Sequence, residues 1–255
     1  MGYAYFDTEA AKKFLQQAVE EPSTALPLQG VALYHWYQYA KDKKAAKAFA
    51  QSLYPSILDW HRQLYEKYDI AEEGLPYTPE KNLQDPFFLS LLVWSNENLI
   101  QIGHVLQEDV LDIIQWNELT IYSMNEKLWN AAQRTYLAYD RQTEDFVLPD
   151  FTQIFAPMLG EIPTQERAEE MFIDIQRTYL RAERMNVWEL WLLRRGLLRY
   201  DFKDLAAHIR QRILQAVKAH GFYENFDVKS GNPIQIANGP AALTAILTID
   251  LLKRC

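Results

Sequence analysis

The sequence predicts an all-α chain built as an (α/α) toroid or barrel of helical hairpins, with one small β-hairpin. Three observations predict it. Apolar residues recur at spacings of three and four along most of the 255 residues. Helices that are apolar nearly all round alternate with amphipathic ones across short charged turns. This unit returns every 40 to 60 residues, roughly, and a lone hairpin of that kind cannot bury both of its faces, so several must close on one another as a ring or solenoid.

Taken in order, Asp7 caps a first helix that runs through Phe14 to about Glu21, and Pro22 and Pro27 bracket a loop. Leu28 to Ala40 lacks a polar face and is predicted as an inner helix. After the turn KDKKA, an amphipathic helix carries Phe49, Leu53, Ile57, Trp60, Leu64 and Tyr68, kinked or restarted at Pro55. Phe87 to Leu106 is the next inner helix. The turn Gln107–Asp109 leads to an amphipathic helix through Trp116, Leu119, Tyr122 and Leu128. Thr135 to Leu148 is predicted as a β-hairpin turning at Asp140–Asp145. Val187–Tyr200 and Leu205–His220 repeat the inner and outer pair. Gly221 to Ile236 is predicted as a long ordered loop before a last helix, Pro240 to Leu252. The runs Val31–Ala40, Phe88–Ile102 and Val187–Leu198 should form the inner layer. With no linker visible, residues 1–255 are expected to be a single domain.

Composition narrows the function classes. Hydrophobic residues make up 49%, enough for a large core, and charged residues 24%, too ordinary a balance for disorder. A net charge of −8 argues against nucleic acid as the main partner. No apolar run reaches roughly 18 residues, so no membrane span is expected. Met1 to Glu9 shows no signal-peptide pattern and the lone Cys255 requires no oxidising compartment, so a cytoplasmic protein is expected. His35, His61, His104, His208 and His220 form no close-spaced pair, and no nucleotide-binding or metalloprotease motif occurs, so neither metal nor cofactor is expected.

Carboxylates are left as the catalytic groups. Glycoside hydrolysis needs two, and inversion places them roughly 6.5 to 9.5 Å apart to admit a water. Glu224 is singled out by its aromatic setting, Phe222-Tyr223-Glu224-Asn225-Phe226. Partial desolvation there suits an acid or a base, and Arg184, Arg194 or Arg195 close by would favour the ionised base; equally, Glu224 could cap a helix or pair with an arginine. Phe222 and Tyr223 are expected to anchor its loop on one side, and Asn225 and Phe226 on the other. Aromatic residues are 13% of the chain. A single ring is more often core than pocket wall, but Trp36, Trp94, Trp188 and Trp191 should include at least one wall of a sugar site, where aromatic faces meet the C–H faces of sugars.

The run GFYENFDVKSGNP, followed by PAALTAILTIDLL, resembles the C-terminal end of the mannosylglycerate hydrolase-like glycoside hydrolases, relatives of the processing α-glucosidases and trehalases. ALYHWYQYAKDKKAAKAFAQSLYPSILDWHRQLYEKYD, QDPFFLSLLVWSNENL, LWNAAQRTYLAYDRQTED and LLRRGLLRYDFKDLA resemble earlier family segments in the same order, so the likeness covers about Leu26 to Leu252. It implies an (α/α)6 toroid and an inverting glycosidase-like hydrolase whose catalytic base is Glu224, with Phe222, Tyr223 and Asp227 matching its motif neighbours. A small sugar-like ligand is implied, bound by Trp36, Tyr77, Trp94, Trp188, Trp191 and Tyr223. The chain also departs from the family. The Asp-Asn-Ser-Pro stretch that holds the general acid is replaced by GLPYTPEKNLQDP, leaving Asp85 and Glu80 as acid candidates by position; Glu97, Glu118 and Glu189 are placed on inner helices as further ones. RAERMNVW stands for a Trp-Arg-Gly-Pro-Val-Trp loop, and Asn238-Gly239 for a Ser-Trp. N-terminal helices of the toroid are missing from the pattern, so the ring is expected to be incomplete, closed by another copy in a homo-oligomer or left as a groove. Two rival expectations stand beside hydrolysis: a non-hydrolytic descendant that binds a small molecule or runs different chemistry in the inherited pocket, and a helical scaffold without chemistry.

Overall fold

The computed structural model describes residues 8–20, 26–79, 82–148, 150–227, 229–234 and 251. Asp7, Glu80, the Asn238-Gly239 pair and nearly all of the last expected helix lie outside them. The chain divides into two compact units, one running through Gln153 and one from Ile154 onward.

The first unit opens with α1 (Thr8–Glu20), α2 (Gln29–Tyr39) and α3 (Lys43–Tyr68). Asp42 starts α3, accepting hydrogen bonds from the amides of Lys44 and Ala45, both at 3.0 Å. The helix runs through Pro55 without restarting, with the proline ring exposed. α4 (Pro86–Leu106) is buried over most of its length, as a helix with no polar face must be. It packs on α2, α3 and α5 (Leu111–Ser123). Gly30 allows the approach of α2, because a β-carbon there would sit 2.5 Å from the Ser95 carbonyl oxygen. The expected apolar stripe of α5 is corrected: Leu119 and Tyr122 are 41% and 64% exposed, while Ile113, Asn117, Thr120 and Ser123 face inward. Within that stripe Thr120 is hydrogen-bonded on three sides, which offsets the burial of its hydroxyl.

Those bonds belong to a buried relay. The Gly30 amide donates to Ser95 Oγ at 3.0 Å, and Ser95 lies 3.4 Å from His61 Nε2. His61 Nδ1 donates to Asn96 Oδ1 at 2.6 Å, and Asn96 Nδ2 donates to Tyr65 Oη at 3.0 Å. Tyr65 Oη meets Thr120 Oγ1 at 2.9 Å, and Thr120 ends the relay on the Gly74 carbonyl at 2.7 Å. Burial lowers the His61 pKa to about 4, against a smaller opposing effect of the bond to Asn96, so the ring is neutral at pH 7. Burial pushes the Tyr65 phenol well above its usual range.

A three-stranded antiparallel sheet stands before α4. β1 (Leu83–Gln84) pairs with β4 (Ala138–Asp140), which pairs with β5 (Asp145–Val147). The expected hairpin therefore forms from Ala138. Thr135–Tyr136, the strand β3, pairs back on β2 (Trp129–Asn130) instead.

The second unit is entered within α6 (Phe151–Phe155) and continues through a 3₁₀ turn (Ala156–Gly160), α7 (Gln165–Arg181), α8 (Val187–Arg199) and α9 (Lys203–His220). Thr164 caps α7, and α8 packs on α9 and on the 3₁₀ turn. The expected long loop after His220 is corrected to a hairpin. β6 (Arg184–Asn186) pairs with β7 (Asn225–Asp227), and β7 with β8 (Pro233–Ile234).

The two sheets share one plan. In each, the strand before an apolar helix is an edge, and a hairpin that follows the next long helix returns to pair with it. Asp140 accepts from the amides of Gln142 and Thr143, as Asp227 does from Lys229 and Ser230. Glu144 and Gly231 hold the matching positive φ values, 57° and 72°. By register, Asp85 corresponds to Asn186, Ala138 to Asn225 and Leu137 to Glu224. No helix among the described residues is long and apolar enough to cross a membrane.

Candidate functional site

Glu224 lies at the entry to β7 and is half-buried. Its backbone carbonyl accepts from the Val187 amide at 2.9 Å, extending the β6–β7 ladder by one rung. Its Oε1 lies 3.4 Å from Asn186 Nδ2, a long hydrogen bond. Asn186 Oδ1 meanwhile caps α8, accepting from the amides of Trp188 at 2.9 Å and Glu189 at 3.1 Å. The carboxylate thus sits beside the first turn of α8.

The aromatic clamp differs from expectation. Phe226 is fully buried and Asn225 nearly so, but Phe222 is 47% exposed. Phe226 lies within β7, whereas Phe222 precedes the strand. Tyr223 meets Phe226 edge-on, with ring centroids 6.2 Å apart. Asp227, the other motif residue, builds the hairpin turn. Hydrogen bonds from the Ser230 amide and hydroxyl, both 2.7 Å, hold its carboxyl below the usual range.

Trp188 and Trp191 stack at 5.7 Å, and the Arg195 guanidinium lies 4.9 Å from the Trp191 ring centre. Trp191 is buried and Trp188 half-buried. Arg184 stands opposite Asp227 across the sheet, and Glu189 is half-buried in the first turn of α8. The second unit therefore brings Glu224, Tyr223, Trp188 and Trp191 to the strand–helix junction at Asn186.

In the first unit, Trp36 is buried edge-on against Phe49 at 4.6 Å, and Trp94 is buried within α4. Tyr77 is buried under the Arg141 guanidinium, 5.3 Å from its ring centre. Asp85 caps α4: Oδ1 accepts from the Phe87 amide and from Gln153 Nε2, each at 2.9 Å. Glu97 is half-buried on α4, whereas Glu118 is exposed on α5 and is not on an inner helix. Among the described residues no group of three or more His, Cys, Asp or Glu could hold a metal ion.

Reading motifs from the sequence missed Asn186. The signal was present, since an Asn directly before an apolar helical run is a cap. It also missed the His61–Asn96–Tyr65–Thr120 relay, whose signal is the polar pair Ser95-Asn96 directly after the apolar run Leu91 to Trp94 of α4.

No family model matches the sequence. Among curated proteins the chain is similar to the mannosylglycerate hydrolase of Rubrobacter radiotolerans, 27% identical over 191 residues, or 64% of this chain and 42% of that protein. It is likewise similar to the mannosylglycerate hydrolase of Thermus thermophilus, 23% identical over 189 residues, 66% of this chain and 45% of that one. The chain thus spans less than half the length of the curated relatives it matches. Among solved structures it is similar to a GH63 mannosylglycerate hydrolase from Thermus thermophilus in complex with glucose, with a TM-score of 0.80 and 19% identity over 91% of this chain and 75% of that one. That likeness shows the fold, an (α/α) toroid of helical hairpins, and the curated relatives bear out the resemblance to mannosylglycerate hydrolase-like glycoside hydrolases read from the motifs.

Proposed function

We propose that the protein is a glycoside hydrolase-like protein that acts on or binds a small sugar or glycoside, with Glu224 as the catalytic base. The observation that carries this reading is the setting of Glu224. A carboxylate fixed through its backbone to Val187, steadied by Asn186 and left half-exposed can accept a proton from water. Tyr223 and Trp188, both half-buried, supply aromatic surface near the same junction, with Trp191 buried behind Trp188 in a stack. The relatives' name makes mannosylglycerate the first substrate to try. The acid is sought at Asp85 and Glu80, which stand where the family's Asp-Asn-Ser-Pro is absent.

In the mechanism this implies, Glu224 takes a proton from a water that attacks the anomeric carbon. The acid protonates the departing oxygen, and the product has inverted configuration. The test is a screen of purified protein against mannosylglycerate and other small glycosides, with the product anomer followed by NMR. Glu224→Gln keeps the shape and cannot accept the proton, so it should lower turnover by at least about 10²-fold while the fold is kept. Turnover that survives the change would end the base assignment.

A specific observation favours a second reading. Asp85 already accepts two hydrogen bonds at the start of α4, so the residue nearest in sequence to the lost acid has a structural duty. A protein that binds the sugar without cleaving it would show saturable ligand binding in wild type and in Glu224→Gln, with no turnover in either.

A further inference from the structure

We infer that Asn186 is a positioning residue that couples the start of α8 to the Glu224 carboxylate, an inference that rests on Glu224 being the base. The side chain of Asn186 is used to its full capacity. Its oxygen accepts from the Trp188 and Glu189 amides. Its nitrogen donates to Glu224 Oε1 at 3.4 Å and to Asn225 Oδ1 at 3.2 Å. The amide has only one workable orientation, because a flipped group would set its N–H bonds against two backbone N–H groups. The helix cap therefore dictates that an N–H points at Glu224.

The first unit provides an internal control. At the matching junction the cap is Asp85 and the residue matching Glu224 is Leu137, which is buried and offers no carboxylate. Asp and Asn cap a helix about equally well. A carboxylate cap beside Glu224 would put two like charges together, whereas the amide caps and donates at once. An amide stands at the junction that has a carboxylate to hold, and an acid at the one that has none. The backbone bond from Val187 to Glu224 fixes where the side chain begins, and Asn186 restricts where it ends.

The test uses the full chain with Asn186→Asp and Asn186→Ser. Both retain a capping oxygen and both lose the amide N–H group that reaches Glu224. Both variants should fold, with the thermal midpoint lowered by a few degrees because the buried Asn225 Oδ1 loses its donor, and KM should be unchanged. The kcat should fall on the order of 10²-fold in the Asp variant and less in the Ser variant, since misplacing a reacting group by about 1 Å costs that much. Crystal structures should show Glu224 in one rotamer in the wild type and spread over several in Asn186→Ser. Wild-type kcat in both variants, or an unmoved single Glu224 rotamer in the Ser variant, would overturn the inference. If the wild type cleaves no glycoside, the base assignment falls, and the rotamer comparison alone decides whether Asn186 positions the carboxylate.

Discussion

The helices α4 and α8 begin in the same way and serve different ends. Each follows the edge strand of a three-stranded sheet, each is capped by the residue just before it, and each sheet is completed by a hairpin from downstream. At α4 the cap is a carboxylate that gathers donors, the Phe87 amide and Gln153, and its charge is spent on holding the helix start. At α8 the cap is an amide with N–H bonds to spare, and one of them reaches Glu224. The same scaffold can thus carry a structural junction or a chemical one, and the cap residue marks which. On this view, polar groups of the first unit carry stability, and those at the α8 junction carry turnover.

The sharpest way to break the comparison is at His61. Replacing it by Leu leaves Asn96 Oδ1 and the Ser95 hydroxyl buried without their partner, which should cost about 4 kcal/mol in chemical denaturation. Activity per folded molecule should be unchanged; lost turnover in folded protein would blur the division of labour.

Acid should act in the same place, by a smaller amount. His61 has a folded pKa of about 4 against 6.5 for the free side chain. Below pH 6.5 the unfolded chain takes up a proton that the folded chain refuses, so stability falls as pH drops from 6.5 towards 4 and this contribution then levels off. The full loss is about 3 kcal/mol, read from denaturation midpoints across that window. His61→Leu should flatten that part of the profile, and an unchanged slope would mean that other groups produce it.

Asp85 gives the smallest effects and the finest test. Asp85→Ala should cost about 1–2 kcal/mol of stability through the lost cap. Asp85→Asn should cost no more than about 0.5 kcal/mol, since an amide oxygen can still accept from Phe87 and Gln153. If the Asn variant keeps its stability but loses turnover, Asp85 is the general acid as well as a cap, and the two junctions are more alike than their hydrogen bonds suggest.

Most of the helices were legible in the sequence, because burial on every side leaves a plain mark: Phe88 to Asn96 is apolar but for Ser90, Ser95 and Asn96. The second sheet was harder. Its strands are two or three residues long, and the partner strand β6 lies far upstream of β7 in the chain. No local period can show such a pairing. A comparison of the chain with itself could have shown it, for Tyr136-Leu137-Ala138-Tyr139-Asp140 and Tyr223-Glu224-Asn225-Phe226-Asp227 follow one pattern. Glu224 was found through its aromatic neighbours, whereas Asn186 and the relay had to be seen folded, since a polar residue in an apolar run names no partner. Leu119 and Tyr122 misled because α5 turns Asn117, Thr120 and Ser123 inward, and apolar spacing alone cannot foresee the hydrogen bonds that hold Thr120 there.

The buried relay from Gly30 to Gly74 has a direction. It begins at a backbone N–H and ends at a backbone C=O, neither of which can exchange roles. Every hydroxyl rotor and the imidazole tautomer between them must therefore point the same way, and no member can turn around alone. Such a chain has one direction throughout, and only the Thr120 hydroxyl has a choice of acceptor, the Gly74 or the Trp116 carbonyl. Its protons can leave for solvent only when the helices that hold it and the Gly74 loop part together. The signals of His61 Hδ1, Tyr65 Hη and Thr120 Hγ1 should then persist in water and vanish with one common rate, a clock for the opening of the first unit.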